Sequence, residues 1–346
     1  MRKFLIILLA IIFLAVPVQA EDLTAPEAPE DVQHLMPHEN ATFGDGLWHI
    51  ISTAFSLVHP NLAECLRVCF SIFAVVMLLS FLQNIQGSAA SAVNFAGAVT
   101  IGSLMLEPAN SLIQDAAQTV TDLAEYGKLL LPVMTAALAA EGGGGTAAAL
   151  YSGTALFSAV LGSLIKKLLV PLVYIYLAIA VVRGAMQTDM LDKLSNRITG
   201  VAGKGLRVIL YVFTGYLTVT GVVGGAADQM SVKAAKLTIS GMVPVVGSIM
   251  ADASETILVS AGLVKGAAGV YGLLSVIAIG IGPFLNVGIQ YLTLKLTASV
   301  CGMFSGKEIS GMIGDFGSAM GLLLAMTGTM CLLILISTVC FMKGIG

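Results

Sequence analysis

Long apolar stretches separated by short polar segments make up most of the chain. Two of them, Arg67–Gln83 and Ala89–Leu106, approach the roughly 20 residues that a helix needs to cross a bilayer. The polar segment that follows, residues 107–128, has its apolar residues on one helical face, which is typical of a helix at a surface. The pattern therefore predicts an all-α, polytopic integral membrane protein.

Composition supports a membrane protein. Of the 346 residues, 57% are hydrophobic and 11% are charged, and the mean hydropathy is +0.94, whereas water-soluble domains contain about 25% charged residues. The net charge of -3 gives no reason to expect a nucleic-acid partner. The five cysteines lack the spacing of zinc ligands and are interpreted as small packing residues. We expect no metal and no cofactor.

The N-terminus has the features of a secretory signal peptide. Arg2 and Lys3 precede an unbroken apolar core, and a small-residue cleavage site ends at Ala20. An uncleaved first helix is the alternative, and in both cases the following residues are exported. Residues 21–45 are predicted to form an acidic exported leader, because they contain no Lys or Arg. Residues 46–65 are predicted to form an interfacial amphipathic helix.

A basic segment indicates which side of the membrane is cytoplasmic, because short loops rich in Lys and Arg stay in the cytoplasm. For this segment to lie inside, the chain between Leu129 and Lys167 must return to the side that it left. It is therefore predicted to form a re-entrant or outer-face hairpin. The basic residues of the predicted cytoplasmic loop are Arg183, Lys193, Arg197, Lys204 and Arg207.

The hairpin would be broken by polar and glycine residues. The apolar run from Leu129 stops after twelve residues, at a glutamate and four glycines, and such breaks are tolerated in a membrane where protein or water covers them. They could line a polar vestibule or contact a partner; alternatively, Asp252 and Glu255 cap a helix end on the outer surface. The candidate residues are Glu141, Gly142, Gly143, Gly144, Asp252 and Glu255.

The chain contains two similar units. "PVMTAAL" from Pro132 matches "PVVGSIM" from Pro244, and the segment from Pro171 matches that from Pro283, both at an offset of about 112 residues. An even number of crossings in each copy predicts a parallel repeat. The predicted segments are a signal peptide (1–20), leader (21–45), interfacial helix (46–65), two-span hairpin (66–106), outer amphipathic segment (107–128), first membrane repeat (129–227), linker (228–240) and second membrane repeat (241–346).

The sequence shows no catalytic motif. It has no nucleotide-binding loop and no HExxH motif, and the predicted spans contain no His or Asp that could complete a proteolytic set. We therefore expect that the protein is not an enzyme. Lys295 lies in an apolar stretch and faces either the bundle interior or an interface. Pairs of glycines four residues apart predict close helix packing, at Gly221/Gly225, Gly262/Gly266, Gly302/Gly306 and Gly317/Gly321.

The sequences "LLLPVMTAALAA" and "KAAKLTISGMVPVVGSIMADASETILVSAGLVKGAAGVYG" resemble the stage III sporulation protein AE family of endospore-forming Firmicutes, and the similarity extends over most of the chain from about Leu66. The resemblance implies a subunit of a secretion-like channel, or feeding tube, in the mother-cell membrane around the forespore. It also implies several partners: a secretion-type ATPase, ring-forming proteins and a forespore membrane protein.

Two functional hypotheses follow. The first is a non-enzymatic subunit of that channel complex, required for late forespore development, with the mature N-terminus on the outer, intermembrane side. The second is a stand-alone permease for small solutes, for which the duplicated broken helices would provide the transport path.

Overall fold

The computed structural model describes residues 26–37, 42–85, 90–140, 144–186, 189–219 and 267–344. Within these ranges the chain is helical and contains no strand, which confirms the all-α prediction. The elements are a 3₁₀ helix (Glu30–Leu35), α1 (Phe43–Ile85), α2 (Ala90–Ala140), α3 (Gly144–Leu164), a π-helical turn (Ile165–Leu169), α4 (Val170–Met186), α5 (Asp189–Val219), α6 (Ala267–Cys301) and α7 (Lys307–Gly344).

Four stretches of these helices are long and apolar enough to cross a membrane, which confirms the polytopic membrane class. They are Asn61–Leu82 in α1, Gly144–Met186 through α3 and α4, Ala268–Cys301 in α6 and Lys307–Lys343 in α7.

Helix α7 lies at the centre of the bundle and packs against α2, α3, α4, α5 and α6. Its second half is mostly apolar and has no charged residue before Lys343, as expected for a helix surrounded by others. Glycines allow α6 to approach: a methyl group on Gly317 would lie 3.3 Å from the Lys295 side chain, and one on Gly321 would lie 3.2 Å from the Tyr291 ring. This glycine pair therefore has the predicted packing role, whereas Gly302 and Gly306 lie at the turn between α6 and α7.

Helices α1 and α2 continue through the predicted segment boundaries at residues 65/66 and 106/107. In α2 the buried residues recur every three or four positions without interruption, so one apolar stripe passes from the first half of the helix through the polar surface segment. That stripe includes Ile101, Met105, Ala109, Ile113, Ala116, Val120, Leu123, Leu130, Met134 and Leu138. A continuous stripe keeps the helix unbroken even though Pro108 and Pro132 lie inside it.

Helices α2 and α3 form a hairpin around the glycine-rich break. Helix α2 ends at Ala140 and α3 begins at Gly144, and the two pack against each other. Helix α3 then continues into α4 in the same direction. The hairpin predicted up to Lys167 required the chain to turn back there before the next crossing, and the structure shows no such turn. The connection is the π-helical turn before Pro171, because a wider turn accommodates the carbonyl that proline cannot bond. The corresponding break of the second copy lies outside the described residues, and the repeat stays a prediction.

The bundle has two distinct ends. Residues 26–37, the start of α6 and the end of α7 lie together at one end, which we call the leader end: Gly46 approaches Leu274 and Pro37, and Gly269 approaches Met342. The opposite end, which we call the charged end, contains the α6–α7 turn and the start of α7. Because α6 is one continuous helix, it passes once from the leader end to the charged end. Helix α7 then runs back, so its C-terminal end lies at the leader end.

Candidate functional site

A cluster of polar side chains lies at the charged end, where α4, α6 and α7 meet. Arg183 Nη2 lies 2.7 Å from Asp315 Oδ2, and the Tyr176 hydroxyl donates a hydrogen bond to Asp315 Oδ1 at 3.0 Å. The side chains of Arg183 and Asp315 are only 15% and 13% exposed. The ion pair is therefore largely removed from water.

Lys295 adds a second cation to this cluster. Its Nζ donates to the Gly314 carbonyl at 2.9 Å and to the Ser318 hydroxyl at 2.8 Å. The side chain thus crosses from α6 to α7, and the structure decides between the two sequence alternatives: Lys295 faces the bundle interior. Both acceptors lie within one turn of Asp315 on α7. The Asp315 carboxylate therefore offsets the positive charges of both Arg183 and Lys295.

Local sequence explains why these groups meet. Arg183 lies in the last turn of α4, where the helix dipole favours a cation. Gly311 and Gly184 let α4 and α7 approach closely: a methyl group on Gly311 would lie 2.7 Å from the Arg183 guanidinium, and one on Gly184 would lie 2.7 Å from Met312 Sδ. The guanidinium therefore reaches Asp315 across a contact at which each helix has a glycine.

The energetics of the cluster favour a role in specifying helix register. A buried ion pair adds little stability compared with apolar residues of similar volume, but the loss of one partner costs about 3–5 kcal/mol because a charge is left without compensation. The cluster joins three helices, so a shift of any one along its axis would separate at least one bonded pair.

The leader end holds residues 26–37 against the bundle. Ala28, Val32 and Leu35 are buried, and the Tyr126 hydroxyl donates to the Pro26 carbonyl at 3.2 Å. Burial raises the pKa of Tyr126 to about 12, so the phenol remains a hydrogen-bond donor at neutral pH. This part of the predicted leader is therefore anchored to the membrane bundle, through a short 3₁₀ helix that buries its apolar side.

Carboxylates gather beside this anchored segment. Burial, with smaller contributions from Asp31 and Glu125, raises the pKa of Asp122, while a hydrogen bond from Gln118 and the charge of Lys166 act in the opposite direction. A carboxyl group with a raised pKa binds more protons in the folded state than in the unfolded state. The free energy of unfolding therefore falls as the pH rises from the ordinary Asp value of 3.8 through the folded pKa.

The structure brings together only part of the predicted site. Gly144 is exposed at the start of α3, and the other candidates at the glycine-rich breaks (Glu141, Gly142, Gly143, Asp252 and Glu255) lie outside the described residues.

The predicted basic loop is helical from Asp189 onward, as α5. Arg183 belongs to the charged cluster, Arg197 and Lys204 are exposed on α5, and Arg207 is half-buried. Lys193 lies in the same helix, but its side chain is outside the described part. The cytoplasmic position of this segment stays a prediction.

Sequence reasoning missed Asp315, Tyr176 and Ser318. The expectation that the spans contain no Asp is wrong, because Asp315 lies within the candidate span Lys307–Lys343. The available signal was a single carboxylate in the apolar, glycine-rich run "GMIGDFGSAMG", since ionisable residues inside membrane segments usually have a partner or a function. Among the described residues, no three His, Cys, Asp or Glu side chains are grouped where they could hold a metal ion.

Comparison with known proteins gives consistent results. The family model described as "Stage III sporulation protein AE" matches residues 35–344. Stage III sporulation protein AE of Bacillus subtilis (strain 168) is 25% identical over 246 residues, which are 70% of this chain and 61% of that protein. The match thus spans less than two thirds of the relative's length. No solved structure matches the chain.

Proposed function

The chain belongs to the stage III sporulation protein AE family, and from this premise we propose that it is a non-enzymatic, multi-pass membrane subunit of a channel complex linking the mother cell and the forespore. The observation that carries the proposal is the family match over a bundle with four candidate membrane spans. Its place is the mother-cell membrane around the forespore, where the complex supports late forespore development.

The two ends of the bundle would contact different partners. In this proposal the charged end and the basic side of α5 face the mother-cell cytoplasm. The side chains of Arg197 and Lys204 are exposed and would be available to a secretion-type ATPase there. The leader end, with its mature N-terminus and acidic residues, faces the intermembrane space, where ring-forming proteins and a forespore membrane partner lie. In this proposal most of the remaining exposed apolar surface contacts lipid, and nucleic acid is not a partner.

One observation favours a second candidate function, a stand-alone permease for small solutes. Arg183, Lys295 and Asp315 are ionisable groups in or beside candidate spans, and such groups commonly mark substrate or ion pathways. This hypothesis predicts solute movement by the purified protein in liposomes. The channel-subunit proposal predicts no movement unless the other subunits are present.

The proposed function predicts a particular localisation. A fluorescent fusion expressed from its own locus in the native organism should give signal only in sporulating cells, in the membrane that engulfs the forespore. The other mother-cell subunits should co-purify with it from those cells. A signal distributed over the membrane of growing cells, with no co-purifying partners, would contradict the proposal and favour the permease.

A further inference from the structure

Helix α1 has an exposed side that differs from an ordinary lipid-facing surface. Only 17% of the most apolar 18-residue stretch of α1 is buried inside the bundle, whereas 78% of the corresponding stretch of α7 is buried. The exposed side carries large apolar residues, including Leu66, Phe70 and Phe81 at 42%, 70% and 66% exposure. The same side also carries charged residues, and contact with lipid tails alone does not account for them.

A shallow, open depression lies along this side of α1. Three of its lining residues are small, and small residues allow a neighbouring membrane helix to approach closely. The depression is lined by Ala63, Leu66, Arg67, Phe70, Ser71 and Ala74.

Two opposite charges lie one helical turn apart on this surface. Glu64 and Arg67 are both exposed, and in the described part of the chain neither forms a salt bridge. Arg67 lies within the candidate span Asn61–Leu82, where an uncompensated charge is costly unless a partner or the interface is within reach. The surface therefore offers both an acid and a base to whatever covers it.

We propose that this face of α1, which we call the α1 face (Ala63, Glu64, Arg67, Phe70, Ser71 and Ala74), binds the same face of a second copy of the chain. Copies inserted in the same orientation are related by a two-fold axis along the membrane normal, so their α1 helices run in parallel. Arg67 of one copy then lies only about 4.5 Å further along the axis than Glu64 of the other. Two reciprocal ion pairs form, and the small residues permit the close approach.

Charge complementarity identifies a second copy as the occupant. A two-fold contact needs a surface that complements itself, and the α1 face carries one acid and one base at nearly the same depth. Lipid tails would leave both charges without partners. The proposal is independent of the proposed function, because it requires only the full-length chain in a membrane.

Disulfide cross-linking in membranes tests this contact. In the full chain, with the native cysteines replaced by alanine, S71C should form a dimer under mild oxidation. The matched control is V160C on α3, which is 49% exposed on a different candidate span and should give at most about one fifth of that yield. Equal yields at the two positions, or no dimer at S71C, would overturn the proposal.

Charge reversal separates a specific contact from chance collision. In the S71C background, E64R or R67E alone should lower the dimer yield at least about fivefold, because like charges then face each other across the two-fold axis. The combination E64R/R67E restores opposite charges and should return the yield to within about twofold of the parent. Size-exclusion chromatography checks that all variants are folded. A dimer yield of the double variant as low as that of the single variants would refute the pairing. Cross-linking to a different protein instead would also refute it.

Discussion

Replacing Asp315 by alanine is expected to lower the free energy of unfolding by about 3–5 kcal/mol. The substitution removes the counter-charge of Arg183, the acceptor of the Tyr176 hydroxyl and a carboxylate whose charge acts on Lys295. Two cations then remain in a poorly hydrated site, with only neutral acceptors for Lys295. Denaturant unfolding in detergent micelles, compared with wild type, measures the loss.

Controls distinguish this effect from a general loss of charge. E308A removes a carboxylate from the first turn of the same helix and should cost less than about 1 kcal/mol, the usual size of a helix-dipole interaction. R183M/D315L removes both members of the ion pair and should be milder than D315A, because no buried charge loses its direct partner. If D315A and E308A had equal effects, the charged cluster would not hold the three helices in register.

The second large effect is expected at Gly153 in α3. A methyl group there would overlap the ring of Tyr216 on α5, and the ring cannot move freely because its hydroxyl donates to the Ala149 carbonyl at 2.8 Å. Phe157 also packs on this ring, with centroids 5.9 Å apart. G153A should therefore lower the free energy of unfolding by about 1–3 kcal/mol, as overpacking does in other cores.

The same substitution elsewhere in α3 should have the opposite sign. A methyl group on Gly162 meets nothing within 4 Å, so G162A should stabilise the protein by about 0.5–1 kcal/mol through helix propensity alone. Removal of the opposing ring in G153A/Y216A should cost less than the sum of the two single variants, because the clash disappears. Destabilisation of equal size at Gly153 and Gly162 would show that the α3–α5 contact is not as close as described.

The helices could be predicted where the apolar pattern was continuous. The face of residues 107–128 containing Ala116, Val120 and Leu123 was correctly assigned from its period, and these residues are buried. Segment boundaries were harder to predict, because a polar outer face suggested a separate element although the apolar stripe continued beneath it. The direction of the chain near Lys167 depended on a π-helical turn before Pro171, which has no clear signature in hydropathy.

The charged cluster could be predicted only in part. The sequence predicts Arg183 as one of the basic residues of a cytoplasmic loop, and it leaves Lys295 facing either the bundle interior or an interface. Their relation depends on α4 and α6 both packing against α7, with Gly184, Gly311 and Gly317 at the contacts. Arg183 and Asp315 lie more than 100 positions apart in sequence, and Lys295 and Asp315 lie on different helices. No local sequence pattern links these residues, so Asp315 was overlooked.

The central proposal places the leader end of the bundle outside and its charged end in the cytoplasm. The most direct test is side-specific labelling of single cysteines, in a background without native cysteines, with a membrane-impermeant maleimide. The spheroplasts are made from growing cells that express the protein from an inducible promoter, because the outer side of the bundle then faces the medium and not the intermembrane space. E27C at the leader end should react in intact spheroplasts. M303C, at a position 77% exposed in the α6–α7 turn, should react only after lysis. Labelling of M303C in intact spheroplasts, or protection of E27C there, would contradict the account.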